Sequence, residues 1–257
     1  WCDWSSDVCS SDLYYVTKDV EEYIKSNNLY RWFGGRNMIQ PWIFEKLKNE
    51  ITEERYLHSI GVMETSIKLA KFYEVNIEKA ALAGLLHDCA KYKDKKNLLK
   101  MANDFDIILD NVMKYNVELI HGLIGAEVAK RYYSVTDEEI LRAIKIHTTG
   151  SEKMNMLEKV IFIADYIEPN RNFPGVEEIR QMAFKDLNKS LIMAMDNTII
   201  YVINSGNLLH LDTVKARNYL IIENNMEWGI MKKRFFKSFF IAFLIFAIIY
   251  GGAVYFL

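Results

Sequence analysis

At 257 residues, 51% hydrophobic and 26% charged, the chain is long enough for one sizeable core and short for two. A formal net charge of −2 gives it no global attraction to a polyanion, which argues against a nucleic-acid partner. Only 3 prolines and 12 glycines interrupt it, favouring long helices over many short strands, and its 3 cysteines (Cys2, Cys9, Cys89) form no spaced framework, as expected in a reducing compartment.

Trp1 to Leu13 is small and polar, with no helical or strand period, no charged leader and no apolar segment, and reads as a non-native stretch. Residues 14–36 read as a short helical stub, capped by Thr17 or Asp19 and closed by the Gly34-Gly35 break, with Met38 as a candidate start. From Pro41 to about Met226 apolar residues recur at three- and four-residue spacing, over 42–50, 54–73, 77–91, 106–115, 121–133, 137–147, 157–168 and 175–204. Thr136 to Glu139 reads as a capping box. Strand-like alternation is absent. The expected class is therefore all-α, a compact bundle of roughly eight helices filling a domain at 38–226. After it, Lys232-Lys233-Arg234 precedes an uncharged apolar run from Phe239 to Leu257, which at about 1.5 Å per residue would span roughly 28 Å. Residues 231–257 are expected to form a transmembrane helix whose basic flank lies in the cytoplasm, so that 235–257 would tether the domain to the inner face of the cell membrane.

The chemistry is carried by histidines. His58 shares a helical face with Val62, Thr65 and Leu69; His87 with Ala80 and Ala83; His121 with Ile124, Gly125 and Val128; His147 with Ile140, Ala143 and Ile144. Asp165 follows Ile161 and Phe162 inward, and Asp88 adjoins His87 in the apolar segment AALAGLLHD. Burying two carboxylates without partners costs several kcal/mol each, and lysine and arginine are scarce on these stripes, so the expected compensating charge is a metal ion. The mixed nitrogen and oxygen donor set suits iron, manganese or zinc rather than magnesium or calcium. His210 lies outside the inward set and reads as structural, and Cys89 as packing.

The order H…HD…H…H…D resembles the HD superfamily of phosphohydrolases, with His58, His87-Asp88 and Asp165 at its defining positions. The words RYLHSIGV (55–62), LLHDCAK (85–91), HGLIGA (121–126), IKIHTTG (144–150), ADYIEPNR (164–171) and LDTVKARN (211–218) together resemble its YqeK-type branch, the symmetrical dinucleoside-tetraphosphatases. That resemblance implies a di-iron centre, manganese being the alternative, and cleavage of diadenosine tetraphosphate into two ADP. It also implies that one ion would take His58, His87, Asp88 and Asp165 and the other Asp88, His121 and His147, with a hydroxide between them as nucleophile. Asp88 and Lys91 are the expected catalytic residues; Lys91, Arg171, Arg55 and the turn Thr148-Thr149-Gly150 are the expected substrate contacts, while Arg217 and Asn218 match the closing motif without a derivable role. A homodimer stays open. Residues 14–30 resemble the last helix of nicotinate-nucleotide adenylyltransferases, and MKKRFFKSFF from Met231 resembles the opening of a LytR-type membrane protein, while 1–13 resembles a translated sequencing adaptor. The chain thus reads as neighbouring reading frames joined. The competing readings are a one-metal HD hydrolase of nucleoside monophosphates, deoxynucleoside triphosphates or alarmones, which would leave His121 and His147 idle, and a sensor that binds nucleotide without turnover.

Overall fold

The structure, a computed structural model, describes residues 39–91 and 98–225. The readings of 1–13, 14–36 and 231–257 therefore lie outside the described residues. Helix α1 is Pro41–Glu50, α2 Glu53–Phe72, α3 Ile77–Leu86, α4 Leu98–Asp104, α5 Asn111–Tyr115, α6 His121–Tyr132, α7 Glu138–Ile146, α8 Met156–Ile167, α9 Val176–Ala183 and α10 Leu187–Asn204. A 3-10 turn, Val117–Ile120, leads into α6, and a helix α11 occupies 211–225. No strand occurs among the described residues, and none of their helices is long and apolar enough to cross a membrane.

Short polar side chains set most of the helix starts. Thr52, Asn76, Asp110, Asp137 and Asp186 each accept a backbone N–H of the first turn that follows, a contact of about 1 kcal/mol. The reciprocal capping box lies at Asn155 and Glu158, at the start of α8. At the expected box the cap is Asp137 rather than Thr136, its carboxylate taking the N–H groups of Glu139 and Ile140. The continuous helix expected over 175–204 is two, because Asp186 opens a new first turn three residues after α9 ends. The helix expected over 106–115 begins only at Asn111, and the one expected to run to Lys91 stops at Leu86.

Packing centres on α3 and α8. Helix α3 touches α2, α7 and α8, and α8 also touches α2, α7, α9 and α10. Glycine permits the closest approaches. A Cβ on Gly84 would lie 2.8 Å from Ser66 Oγ and 3.0 Å from the Met63 Cα, so α2 and α3 pack backbone to backbone. A Cβ on Gly122 would lie 2.8 Å from the Lys145 carbonyl, which brings the start of α6 against the end of α7. Helix α11 is fastened to this core by the half-buried Glu223, which takes the buried Lys159 Nζ at 2.6 Å and the Asn188 amide at 3.3 Å. Substituting Gly84→Ala is expected to destabilise the fold by about 1–3 kcal/mol through overpacking, read as a lowered urea midpoint with an unchanged slope.

Candidate metal centre

Three of the four inward histidines stand at helix ends. His87 is the C-cap of α3, His147 the C-cap of α7, and His121 the C-cap of the 3-10 turn that precedes α6. Carbonyls in a last turn lack intrahelical partners, and a C-cap imidazole can supply one. His87 Nδ1 donates to the Gly84 carbonyl at 2.8 Å, His147 Nδ1 to Ile144 at 2.7 Å, and His121 Nδ1 to Glu118. His58 differs: it sits inside α2 and its Nδ1 meets Glu168 Oε1 at 3.1 Å. A carbonyl can only accept, so the three capping rings carry their proton on Nδ1 and turn a bare Nε2 lone pair inward. The His87 and Asp88 side chains therefore reach one point from a turn, not from two faces of a continuing helix.

All four Nε2 atoms close on Asp88, which is fully buried. His58 Nε2 and His87 Nε2 are 3.2 Å apart, and His121 Nε2 and His147 Nε2 are 3.0 Å apart. Asp88 Oδ2 lies 3.7 Å from His58 Nε2 and 3.4 Å from His87 Nε2; Oδ1 lies 3.1 Å from His121 Nε2 and 3.4 Å from His147 Nε2. Asp165 Oδ1 completes the first group, 3.0 Å from His58 Nε2 and 3.7 Å from His87 Nε2. Two lone pairs facing each other at such distances repel unless a cation lies between them. Donors about 2.0–2.2 Å from one ion sit roughly 3–3.5 Å from each other, which is the spacing seen here. Asp88 Oδ1, buried, also makes no well-aligned hydrogen bond. The residues present therefore fit a metal ion, and three overlapping groups could hold one, each with its donor atoms within 4.8 Å: His58-His87-Asp88, Asp88-His121-His147 and His87-His147-Asp165.

Cations reach both carboxylates, and they are the three expected as substrate contacts rather than members of the inward stripes. Arg55 Nη1 is 3.3 Å and Lys91 Nζ 3.2 Å from Asp88 Oδ2, and Arg171 Nη2 is 2.7 Å from Asp165 Oδ1. Arg55 arrives from the first turn of α2, Lys91 from the turn after α3, and Arg171 from the loop after α8, which the wheel of any single helix does not show. All three side chains are partly exposed, so they form a basic rim over a buried floor. Thr148 and Thr149 follow His147; Thr148 Oγ1 donates to the Leu119 carbonyl, and Gly150, at φ +71°, closes α7 against Met195, Ala216 and Phe162. His210 lies at another place, 2.8 Å from Asp110 Oδ2, and Arg217 pairs with Asp196 at 2.7 Å. The buried Cys89 thiol is pushed up by burial and donates to the Gly125 carbonyl.

Glu168 was not legible as part of the site, although it stands in the ADYIEPNR segment. Its carboxylate is buried, takes the Asn170 N–H at 2.7 Å, and packs where a Cβ on Gly61 would be 2.5 Å from Oε2. Arg180 of α9 holds the same loop by donating to the carbonyls of Ile167, Glu168 and Arg171. The only signal in the sequence is an acid between an apolar helix and a proline.

Asp88 is held well below the usual carboxyl range: burial opposes its ionisation, and a proton on any of the facing His87, His121 or His147 rings favours it. Burial likewise opposes that of Asp165, where His58, His87 and Arg171 prevail. Burial draws His87 down, and His121 to about 4, so both stay neutral in the fold where unfolded imidazoles near 6.5 take protons. Burial also disfavours charge on His58, but hydrogen bonds that its ring donates to Asp165 and Glu168 outweigh it and raise that ring, a contribution lost only as the pH climbs above about 6.5. Below about 6.5 His58 is protonated in both states, so the two lowered rings decide: unfolding takes up protons and stability rises with pH between about 4 and about 6.5. The urea midpoint of chelator-treated protein is expected to fall between pH 7 and pH 4.5; a flat profile would mean that the fold does not hold His87 and His121 neutral.

Comparison with known proteins agrees with this geometry. The HD domain model matches residues 55–170, from Arg55 to the residue before Arg171. A symmetrical bis(5'-nucleosyl)-tetraphosphatase of Halalkalibacterium halodurans is 42% identical over 177 residues, 69% of this chain and 94% of that one. The protein of the same description from Bacillus subtilis is 41% identical over 175 residues, 68% of this chain and 94% of that one. A crystal structure from Clostridium acetobutylicum, described as a predicted HD superfamily hydrolase involved in NAD metabolism, superposes with a TM-score of 0.69 at 47% identity, over 71% of this chain and 96% of that one. With fold and sequence in agreement, the chain belongs to the symmetrical bis(5'-nucleosyl)-tetraphosphatase family of HD-domain hydrolases.

Proposed function

We propose that this HD-domain, metal-dependent hydrolase cuts diadenosine tetraphosphate with one water into two ADP, at a centre of two ions bridged by Asp88. The observation that carries the reading is the convergence of four Nε2 atoms on the two oxygens of one buried carboxylate. His58, His87 and Asp165 would share Oδ2 of Asp88 around one ion, and His121 and His147 would share Oδ1 around the other. A one-ion enzyme has no use for His121 and His147, yet both point at Asp88 as closely as the first pair does. Iron, with manganese second, fits the imidazole-rich donor set. When bound, such ions lower the pKa of a water toward neutrality and offset charge on phosphate oxygens.

The chain's own residues do the rest. Lys91 and Arg55 place positive charge beside Asp88 Oδ2, and Arg171 beside Asp165, so all three would meet phosphate oxygens on the His58 side of the floor. Phosphate oxygens would then share these cations with the carboxylates. The Thr148-Thr149-Gly150 turn, directly after His147, offers small polar groups to one nucleoside arm. Tethering by residues 235–257 is a separate proposal on which the chemistry does not depend.

The test is to load the full chain with iron or manganese, count bound metal and identify the products from diadenosine tetraphosphate. Two ions per chain with ADP as sole product is the expected result. Asp88→Ala should lower turnover by about a thousandfold or more and release metal. Lys91→Ala should keep its metal and lose about ten- to a hundredfold in kcat/KM, the size of one charge-assisted contact. One ion per chain and no ADP would overturn the two-ion reading.

A further inference from the structure

Three of the inward imidazoles are oriented by backbone, whereas His58 alone is oriented by a side chain. That side chain is Glu168, which leaves α8 as its C-cap and turns back under α2. Its two oxygens divide the work: Oε1 meets His58 Nδ1 at 3.1 Å, and Oε2 accepts the Asn170 N–H at 2.7 Å. Gly61, three residues after His58, leaves the gap that Oε2 occupies, since a Cβ there would approach to 2.5 Å. The contact is thus made by two elements far apart in sequence. Two features hold it, a glycine without which the carboxylate would not fit and a loop pinned by Arg180.

We infer that Glu168 is a positioning residue for the metal centre: it accepts the Nδ1–H of His58, fixes that ring's tautomer and aims its Nε2 at Asp88 and Asp165. A ring bonded to an anion is also a stronger electron donor through its other nitrogen than one bonded to a carbonyl. The His58 half of the centre should therefore owe more of its affinity to its orienting partner than the His121-His147 half does. The inference rests on the metal-centre reading above and adds a determinant outside the donor set.

The experiment titrates Mn²⁺ alone into the chelator-stripped full chain and follows free Mn²⁺ by its electron paramagnetic resonance signal, with melting of the stripped proteins in parallel. Glu168→Gln keeps an acceptor oxygen and loses the charge; Glu168→Ala loses both. The expected order of affinity at one site is wild type, then Gln about tenfold weaker, then Ala about a hundredfold weaker, the second site changing little. Gly61→Ala, which displaces the carboxylate without altering it, should weaken the same site, and the Gly61→Ala/Glu168→Ala double variant should be no weaker than Glu168→Ala alone. A merely structural contact would lower melting while leaving affinity per folded molecule unchanged, and that result overturns the inference. So does wild-type affinity in a folded Gly61→Ala protein, the deciding variant if the Glu168 substitutions do not fold. A wild-type chain that takes up no Mn²⁺ would instead remove the metal-centre reading itself.

Discussion

Asp88 is a carboxylate with no access to water, and the arrangement around it follows from that constraint. An unpaired charge at such depth costs several kcal/mol, so the fold must either neutralise it or surround it. It surrounds it, with two imidazoles on each oxygen and Arg55 and Lys91 at the edge of Oδ2. The imidazoles cannot all become cations, because burial keeps His87 and His121 neutral. They contribute lone pairs instead, and lone pairs crowded to 3.0–3.2 Å raise the energy of the metal-free fold. An ion that bound there would be repaid in folding free energy as well as in coordination.

The inward placement of the donors was legible because each sits on an apolar stripe: His58, Val62, Thr65 and Leu69 recur at helical spacing and are all buried. What stayed hidden was where helices stop. LLHDCAK contains neither glycine nor proline, so no helix breaker announces that α3 ends at Leu86. Thr136–Glu139 and Asn155–Glu158 both carry a capping pattern, and only the side-chain geometry separates them, since Asp137 outcompetes Thr136 for the first-turn N–H groups. Arg55, Lys91 and Arg171 were expected as substrate contacts, but their pairing with Asp88 and Asp165 was not legible, because they come from different segments and helical wheels report one segment at a time. Glu168 escaped notice likewise, its partner being 110 residues away.

The loop after α8 concentrates responsibility. Over a few residues it carries Asp165 at the end of the helix, Glu168 against His58, and Arg171 back onto Asp165, whose backbone carbonyl also takes the Arg171 Nε. Arg180 caps the carbonyls of this stretch from α9, doing with a side chain what a glycine C-cap does elsewhere. A donor, an orienting anion and a rim cation thus move together or not at all, which suits a site in which errors of about 1 Å are costly.

The histidines that cap their own helices have a consequence for inheritance. The acceptors of His87, His121 and His147 are main-chain oxygens of Gly84, Glu118 and Ile144, and every amino acid has such an oxygen. A codon change at those three positions alters packing but leaves the acceptor atom in place. His58 is aimed by a carboxylate that a single nucleotide change can delete. Drift in this lineage should therefore erode the centre from its His58 side first, with the paired capping histidines outlasting it.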